Sequence, residues 1–230
     1  DRTYIVNQVT QSGQVEAGGF VPSGVYDADG ADGDDFRTVG GDYYKPTDAD
    51  YEANCDEARQ LLADAGYPNG EGFPVVEYLY NTSDAHKAVA EALQFMWEEE
   101  LGVKVTLNNQ EWAAFLQTRK DGDYSIARNG WIADYNDPIS FLDMWMTGGG
   151  NNDAQYANDD YDALIKQAKT TTDNAERMDL LHQAEDKLIG EDNVLAPLYF
   201  YTQKYMLADG IEGMYYCPLG YFFFGYTHQA

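Results

Sequence analysis

Residues 74–107 constrain this chain more than any other stretch, because they read as strand, long helix and strand in immediate succession. Residues 74–80 are strand-like. Asn81, Thr82, Ser83 and Asp84 then offer several N-caps for a helix running to Glu100, and Gly102 supplies a left-handed residue to close it. Residues 103–107 alternate as a strand does. Two strands joined by a crossover helix pair in parallel, and such crossovers are almost always right-handed. The chain is therefore expected to be an α/β protein, with 230 residues to build a sizeable core.

The flanks fill in around that unit. Residues 1–9 read as the middle of an amphipathic helix with Tyr4, Ile5 and Val9 on one face. A helix entered without a cap suggests that the chain begins inside a longer polypeptide. Residues 12–47 are rich in Gly, Asp and Tyr, and are expected to be irregular and exposed. Their DADGADGDD run does not fit a calcium loop: counting from Asp27, position 5 is Ala31, position 6 is Asp32 and position 12 is Thr38. Asp48 or Asp50 can cap a helix through Ala65, ended by Gly66 and Pro68. Residues 147–158 read as a loop, 159–169 and 173–189 as helices, and 194–201 as a strand that 204–207 continue or pair with. Met178, Leu181, Ala184 and Leu188 share one face of the second helix.

The residue inventory narrows the function. Fourteen basic against forty acidic residues give 14 − 40 = −26, which repels phosphate backbones and anionic membranes and argues against nucleic-acid binding. No apolar run reaches the length of a membrane span, so direct membrane insertion is not expected. Cys55 and Cys217 are far apart and form no CxxC, and the three His (86, 182, 228) lack ligand spacing, so neither a metal nor another cofactor is implied. A disulfide between the two Cys and a pair of free thiols both remain open. No GxSxG elbow or phosphate-cradling loop occurs. Asp134, Asp137 and Asp143 are the carboxylates available for glycoside hydrolysis.

Residues 110–145 concentrate the informative side chains. Trp112, Phe115, Leu116 and Arg119 have helical spacing, and residues 124–127 read as a short buried strand ending in a loop. Loops at strand ends are where α/β proteins place ligand sites, which would put Trp131, Asp134 and Tyr135 at a cleft mouth with Arg128 beside them. From the residues alone, a second reading stands beside it: Trp side chains in the core, and Asp134 forming a turn before Asn136-Asp137-Pro138.

This stretch resembles the substrate-binding proteins of oligopeptide ABC transporters. The motif is QEW followed by FLxTR, then ARxGWxADYNxPxSFL; LYNTSDxHK and LGVKVTLxNQEW precede it, and NNxxxY and PLYFY follow. The match runs over essentially the whole chain. It implies one α/β lobe of a type II periplasmic-binding-protein architecture, a mixed sheet flanked by helices, belonging to the C-terminal portion of a longer receptor outside the cytoplasm, periplasmic or lipid-anchored. Residues 1–207 would be the substrate-binding lobe and 208–230 a segment returning to a first lobe.

By the same resemblance, Asp134 pairs with the α-ammonium of a bound oligopeptide. Arg128, Arg119 and His86 meet its carboxylate or bridging waters, and Trp112, Trp131 and Tyr201 wall the pocket. The partners implied are the peptide and the permease that receives it. The alternatives are a same-fold receptor for a dipeptide, nickel complex, haem or sugar, or a secreted glycoside hydrolase. At Ile132 some relatives carry a Cys in a disulfide, which cannot form here. The aromatic run at 214–226, deprived of a first lobe, is expected to leave Tyr221, Phe222, Phe223 and Phe224 under-buried as a sticky patch. Since part of the peptide's main chain would be held by that lobe, the chain alone is expected to bind peptide feebly or not at all. Calorimetry giving micromolar or tighter binding would overturn this.

Overall fold

A computed structural model describes residues 1–44, 48–217 and 220–230, without the side chains of Asp48 and Ala49. In chain order it has strand β1 (Val15–Glu16), helix α1 (Asp48–Asp64), strand β2 (Val76–Asn81), helix α2 (Asp84–Leu101), strand β3 (Val105–Gln110), helix α3 (Trp112–Asp121) and strand β4 (Ile126–Ala127). Helices α4 (Asp159–Ala168) and α5 (Asn174–Glu185) follow, then strand β5 (Tyr199–Phe200). The tail carries β6 (Ile211–Glu212), β7 (Tyr215–Cys217), β8 (Tyr221–Phe223) and β9 (His228–Gln229).

The expected crossover unit forms. β2 and β3 pair in parallel from Val76 opposite Val105 to Asn81 opposite Gln110. Gly102 ends α2 at φ 66°, where a Cβ would meet the Asn69 carbonyl oxygen at 2.3 Å, so only glycine fits. Ser83 sits at the N-cap of α2, but its side chain makes no capping bond. β4 joins the other edge of β2 in parallel, giving the order β3-β2-β4. Tyr78 and Tyr80 pack with Val89, Ala90 and Leu93 of α2, whereas Leu79 is wholly buried outside that cluster, as is Phe115 of α3. This alternation is what a strand covered on both faces requires. The antiparallel pairs lie apart from this sheet, as β1-β5, β6-β9 and β7-β8.

A second core gathers Phe36, Ile139, Phe141, Leu142, Trp145, Tyr161 and the inner faces of α4 and α5. Residues 12–44 are indeed mostly irregular, but they are not the exposed segment their composition predicts. Ala17, Val21, Val25, Phe36 and Arg37 are buried. The physical reason is Glu185, with no exposed surface: its Oε1 accepts from the backbone N–H groups of Phe20 and Val21, both at 2.8 Å. Arg37 closes the site with a bidentate pair to Glu185 at 2.8 and 2.9 Å. Irregular backbone can be buried only when its polar groups find partners, and this carboxylate provides them. Residues 45–47 and 218–219 lie outside the described residues.

Other expectations are corrected in detail. Asp1 caps the first helical turn, its carboxylate accepting from the Tyr4 N–H at 2.7 Å, and the helix continues as a π-helical segment (Ile5–Thr10). β4 is two residues long and lies at a sheet edge, with Ile126 40% exposed, so it is not a buried strand. β5 covers only Tyr199–Phe200, and residues 201–207 are exposed and outside any strand. Cys55 and Cys217 are free thiols. The aromatic tail is open as expected, with Tyr221, Phe223, Phe224 and Tyr226 exposed, although Phe222 packs on Tyr205 at 5.4 Å.

Breaking one half of a buried ion pair leaves an uncompensated charge in the core. Arg37→Met is therefore expected to cost about 3–5 kcal/mol, read as a lower urea midpoint at unchanged slope.

Candidate functional site

The crossovers from β2 to β3 and from β3 to β4 run in opposite directions across the sheet, since β2 lies between the other two. Right-handed crossovers so arranged place α2 and α3 on opposite faces, and sheets of this order place their ligand crevice outside the carboxyl ends of the strands where the order reverses. That point lies between β2 and β4. Asn81 is the last residue of β2 and Arg128 the first after β4.

Arg128 bridges the crevice. Its backbone N–H continues the pairing by donating to the Leu79 carbonyl at 2.8 Å. Its Nη1 donates to Asn81 Oδ1 at 3.4 Å, and its Nη2 to the Tyr201 hydroxyl at 2.9 Å. Gly130 allows the chain to pass close by: a Cβ there would lie 3.2 Å from Arg128 Nη2 and 3.5 Å from the Tyr201 ring. His86, in the first turn of α2, stands in the field of Arg128. Burial, and then the guanidinium charge, push its imidazole below the ordinary 6.5. Its Nδ1 is buried and has no hydrogen-bond partner among the described residues.

The loop beyond Arg128 is tied to one buried residue. Trp131 Nε1 donates to the Ser140 carbonyl at 2.6 Å, and the Asp134 N–H donates to Ser140 Oγ at 2.9 Å. Asp134 itself is exposed, and among the described residues its carboxylate has no cationic partner. Its neighbours differ. Asp137 pairs with Arg177 at 2.8 Å, Asp143 with Lys169 at 3.1 Å, and Asp153 with Arg119. Asp137 and Asp143 are thus held in internal ion pairs rather than presented with Asp134 as a pair of catalytic carboxylates.

The cations show the same asymmetry. Arg37, Arg59, Arg119 and Arg177 each face a carboxylate, whereas among the described residues Arg128 and Arg2 meet only neutral groups, Arg2 the Pro197 carbonyl and the Tyr44 ring.

Sequence reasoning grouped seven residues, and the structure distributes them. Arg128, His86 and Tyr201 meet at the crevice; Trp131 and Asp134 share Ser140. Tyr201 is half exposed and meets Tyr199 edge-on at 5.5 Å. Trp112 is 54% exposed at the start of α3, and its ring lies 5.8 Å from that of Phe115. Arg119 is buried rather than facing the crevice. Its Nε donates to Asp153 at 2.9 Å, while Nη1 donates to Asn129 Oδ1 at 3.0 Å and the Arg128 carbonyl at 3.4 Å. Its guanidinium is fully occupied in holding the loop that carries Arg128. Asn81, Ser140 and Asp153 were missed. Asn81 ends the strand in the predicted crossover and so was findable; the other two sit in a short helix and a turn that give no periodic signal.

The family model for bacterial extracellular solute-binding proteins, family 5 (middle region), matches residues 1–153. The dipeptide-binding protein DppE of Bacillus subtilis is 38% identical over 222 residues, covering 96% of this chain and 39% of its own. The oligopeptide-binding protein OppA of the same organism is 36% identical over 215 residues, covering 93% and 37%. Among solved structures, Haemophilus influenzae OppA in complex with RPPGFSPFR superposes with a TM-score of 0.76 at 31% identity, covering 93% of this chain and 40% of that one. The chain spans less than two fifths of the length of either relative.

A histidine whose folded pKa lies below its unfolded value disfavours protonation in the native state. Its contribution is absent above about pH 7, and stability falls as pH drops through 6.5 towards the depressed value. The difference in unfolding free energy between wild type and His86→Gln is expected to be flat above pH 7 and to turn against the wild type between pH 6.5 and 5. A pH-independent difference would contradict the burial of His86.

Proposed function

This chain belongs to the bacterial extracellular solute-binding proteins of family 5, and from that premise we propose that it forms one wall of an oligopeptide-binding cleft. Its fold is that of type II periplasmic-binding proteins. The observation that carries the reading is a pair of opposite charges on one loop, Arg128 and Asp134, neither matched by an opposite charge among the described residues. A peptide is complementary to such a pair, with an ammonium at one end and a carboxylate at the other. Burying either end requires a partner.

Asp134 takes the α-ammonium. Arg128, fixed by Asn81 and Tyr201, takes the carboxylate or the waters bridging to it, and its delocalised planar fork suits that task. His86, held neutral, offers a hydrogen bond without a second positive charge. Trp131 and Tyr201 wall the space. Trp112, exposed on α3, is a further wall only if the peptide extends that far. Arg119 is a positioning residue, acting through the Arg128–Asn129 backbone.

The receptor is read as a carrier and not an enzyme, working outside the cytoplasmic membrane, free or lipid-anchored. It would close on its cargo like a hinge and present it to a permease. No described helix is long and apolar enough to cross a membrane. Residues 1–207 would form the lobe and 208–230 the segment that meets the rest of the receptor.

In the full-length receptor, Asp134→Asn is expected to weaken binding of trialanine by about 10- to 100-fold, as loss of one partner of a desolvated charge pair does. It should leave N-acetyl-trialanine nearly unaffected. Equal affinity of wild type and variant for the free-amino peptide would defeat the assignment.

A further inference from the structure

Ser140 lies in the short helix Ile139–Leu142 and is only 4% exposed, yet it holds two residues of the proposed cleft wall. Its carbonyl accepts from Trp131 Nε1 at 2.6 Å and its hydroxyl oxygen from the Asp134 N–H at 2.9 Å. This short helix is itself anchored. The Ser140 N–H donates to the Asp137 carbonyl at 3.1 Å, the Asp137 carboxylate accepts from the Ile139 N–H at 2.9 Å, and the same carboxylate oxygen pairs with Arg177 of α5 at 2.8 Å. A rigid route therefore runs from the helical core through Arg177, Asp137 and Ser140 to the backbone of Asp134.

An aspartate ahead of Asn136-Asp137-Pro138 has a competing option. Its carboxylate readily turns back to accept from a nearby backbone N–H, as Asp137 does with Ile139. In this chain the Asp134 N–H is already directed to a buried hydroxyl, and the Asp134 carboxylate stays exposed, with no hydrogen bond among the described residues. We propose that Ser140 is the positioning residue for amino-terminus recognition. Its hydroxyl fixes the Asp134 backbone so that the carboxylate stays exposed, ready for a cation. The inference rests on the reading of Asp134 as the partner of a peptide ammonium.

The test measures Kd by calorimetry in the full-length receptor for trialanine and N-acetyl-trialanine, with wild type, Ser140→Ala, Asp134→Asn and the double variant. Ser140→Ala is expected to weaken trialanine binding by about 3- to 10-fold, the range of one hydrogen bond. N-acetyl-trialanine should change less than about twofold, and Ser140→Thr, which keeps the hydroxyl, should restore the preference. In the Asp134→Asn background, Ser140→Ala should add nothing, because the two act as one unit. Equal losses for both peptides, or losses that add in the double variant, would overturn the inference and leave Ser140 a purely structural residue. A wild type without free-amino preference would instead sink the reading of Asp134, and this inference with it. Should Ser140→Ala fail to fold, Ser140→Cys, which replaces the oxygen by a weak acceptor, carries the same comparison.

Discussion

The joint between the two halves of this structure is the buried pair of Arg119 and Asp153. Arg119 belongs to α3, which covers the parallel sheet; Asp153 belongs to the loop that leads into the helical core. The guanidinium lies 5.0 Å over the Phe115 ring, donates to Asp153 from Nε, and reaches the strand-exit loop with Nη1. Tyr124 and Gln155 add hydrogen bonds across the same seam, at 2.7 Å to the Asp153 carbonyl and 3.3 Å to the Lys120 carbonyl. A fork with several fixed donors can hold three segments at once, which a lysine cannot. Everything attributed to Arg128 presupposes that this seam is closed.

Charge distribution then decides what the surface can recognise. A chain this acidic has few cations, and most of its arginines sit on carboxylates. Long-range attraction for a cationic ligand is screened over roughly 8 Å at physiological ionic strength, so net charge alone gives little selectivity. Selectivity must come from local groups held without internal partners, and the loop after β4 displays one of each sign.

How much of this was legible in the sequence depended on the range of the interaction. The β2–α2–β3 unit was readable from periodicity, caps and Gly102, since all its determinants lie within thirty-odd residues. The buried course of residues 12–44 was not, because its burial depends on Glu185, 164 and 165 positions beyond the backbone groups it accepts from, and an acidic residue on a helix ordinarily reads as surface. The buried pairing of Arg119 was hidden for the same reason: its acid lies 34 residues on, in a Gly/Asn-rich loop without pattern. Arg128, Trp131 and Asp134 drew attention because motif and strand-end logic coincided there. Ser140 was hidden in plain apolar surroundings. The open aromatic tail was legible from composition, since β7 and β8 form an isolated pair with few neighbours to cover it.

Tyr201 stands one residue beyond β5, and among the described residues β5 pairs only with β1, near the other end of the chain. The hydroxyl that orients the Arg128 fork is therefore mounted on a two-stranded ribbon rather than on the sheet that carries the arginine. The aim of the guanidinium thus depends on a strand pair that, among the described residues, shares no strand with the parallel sheet.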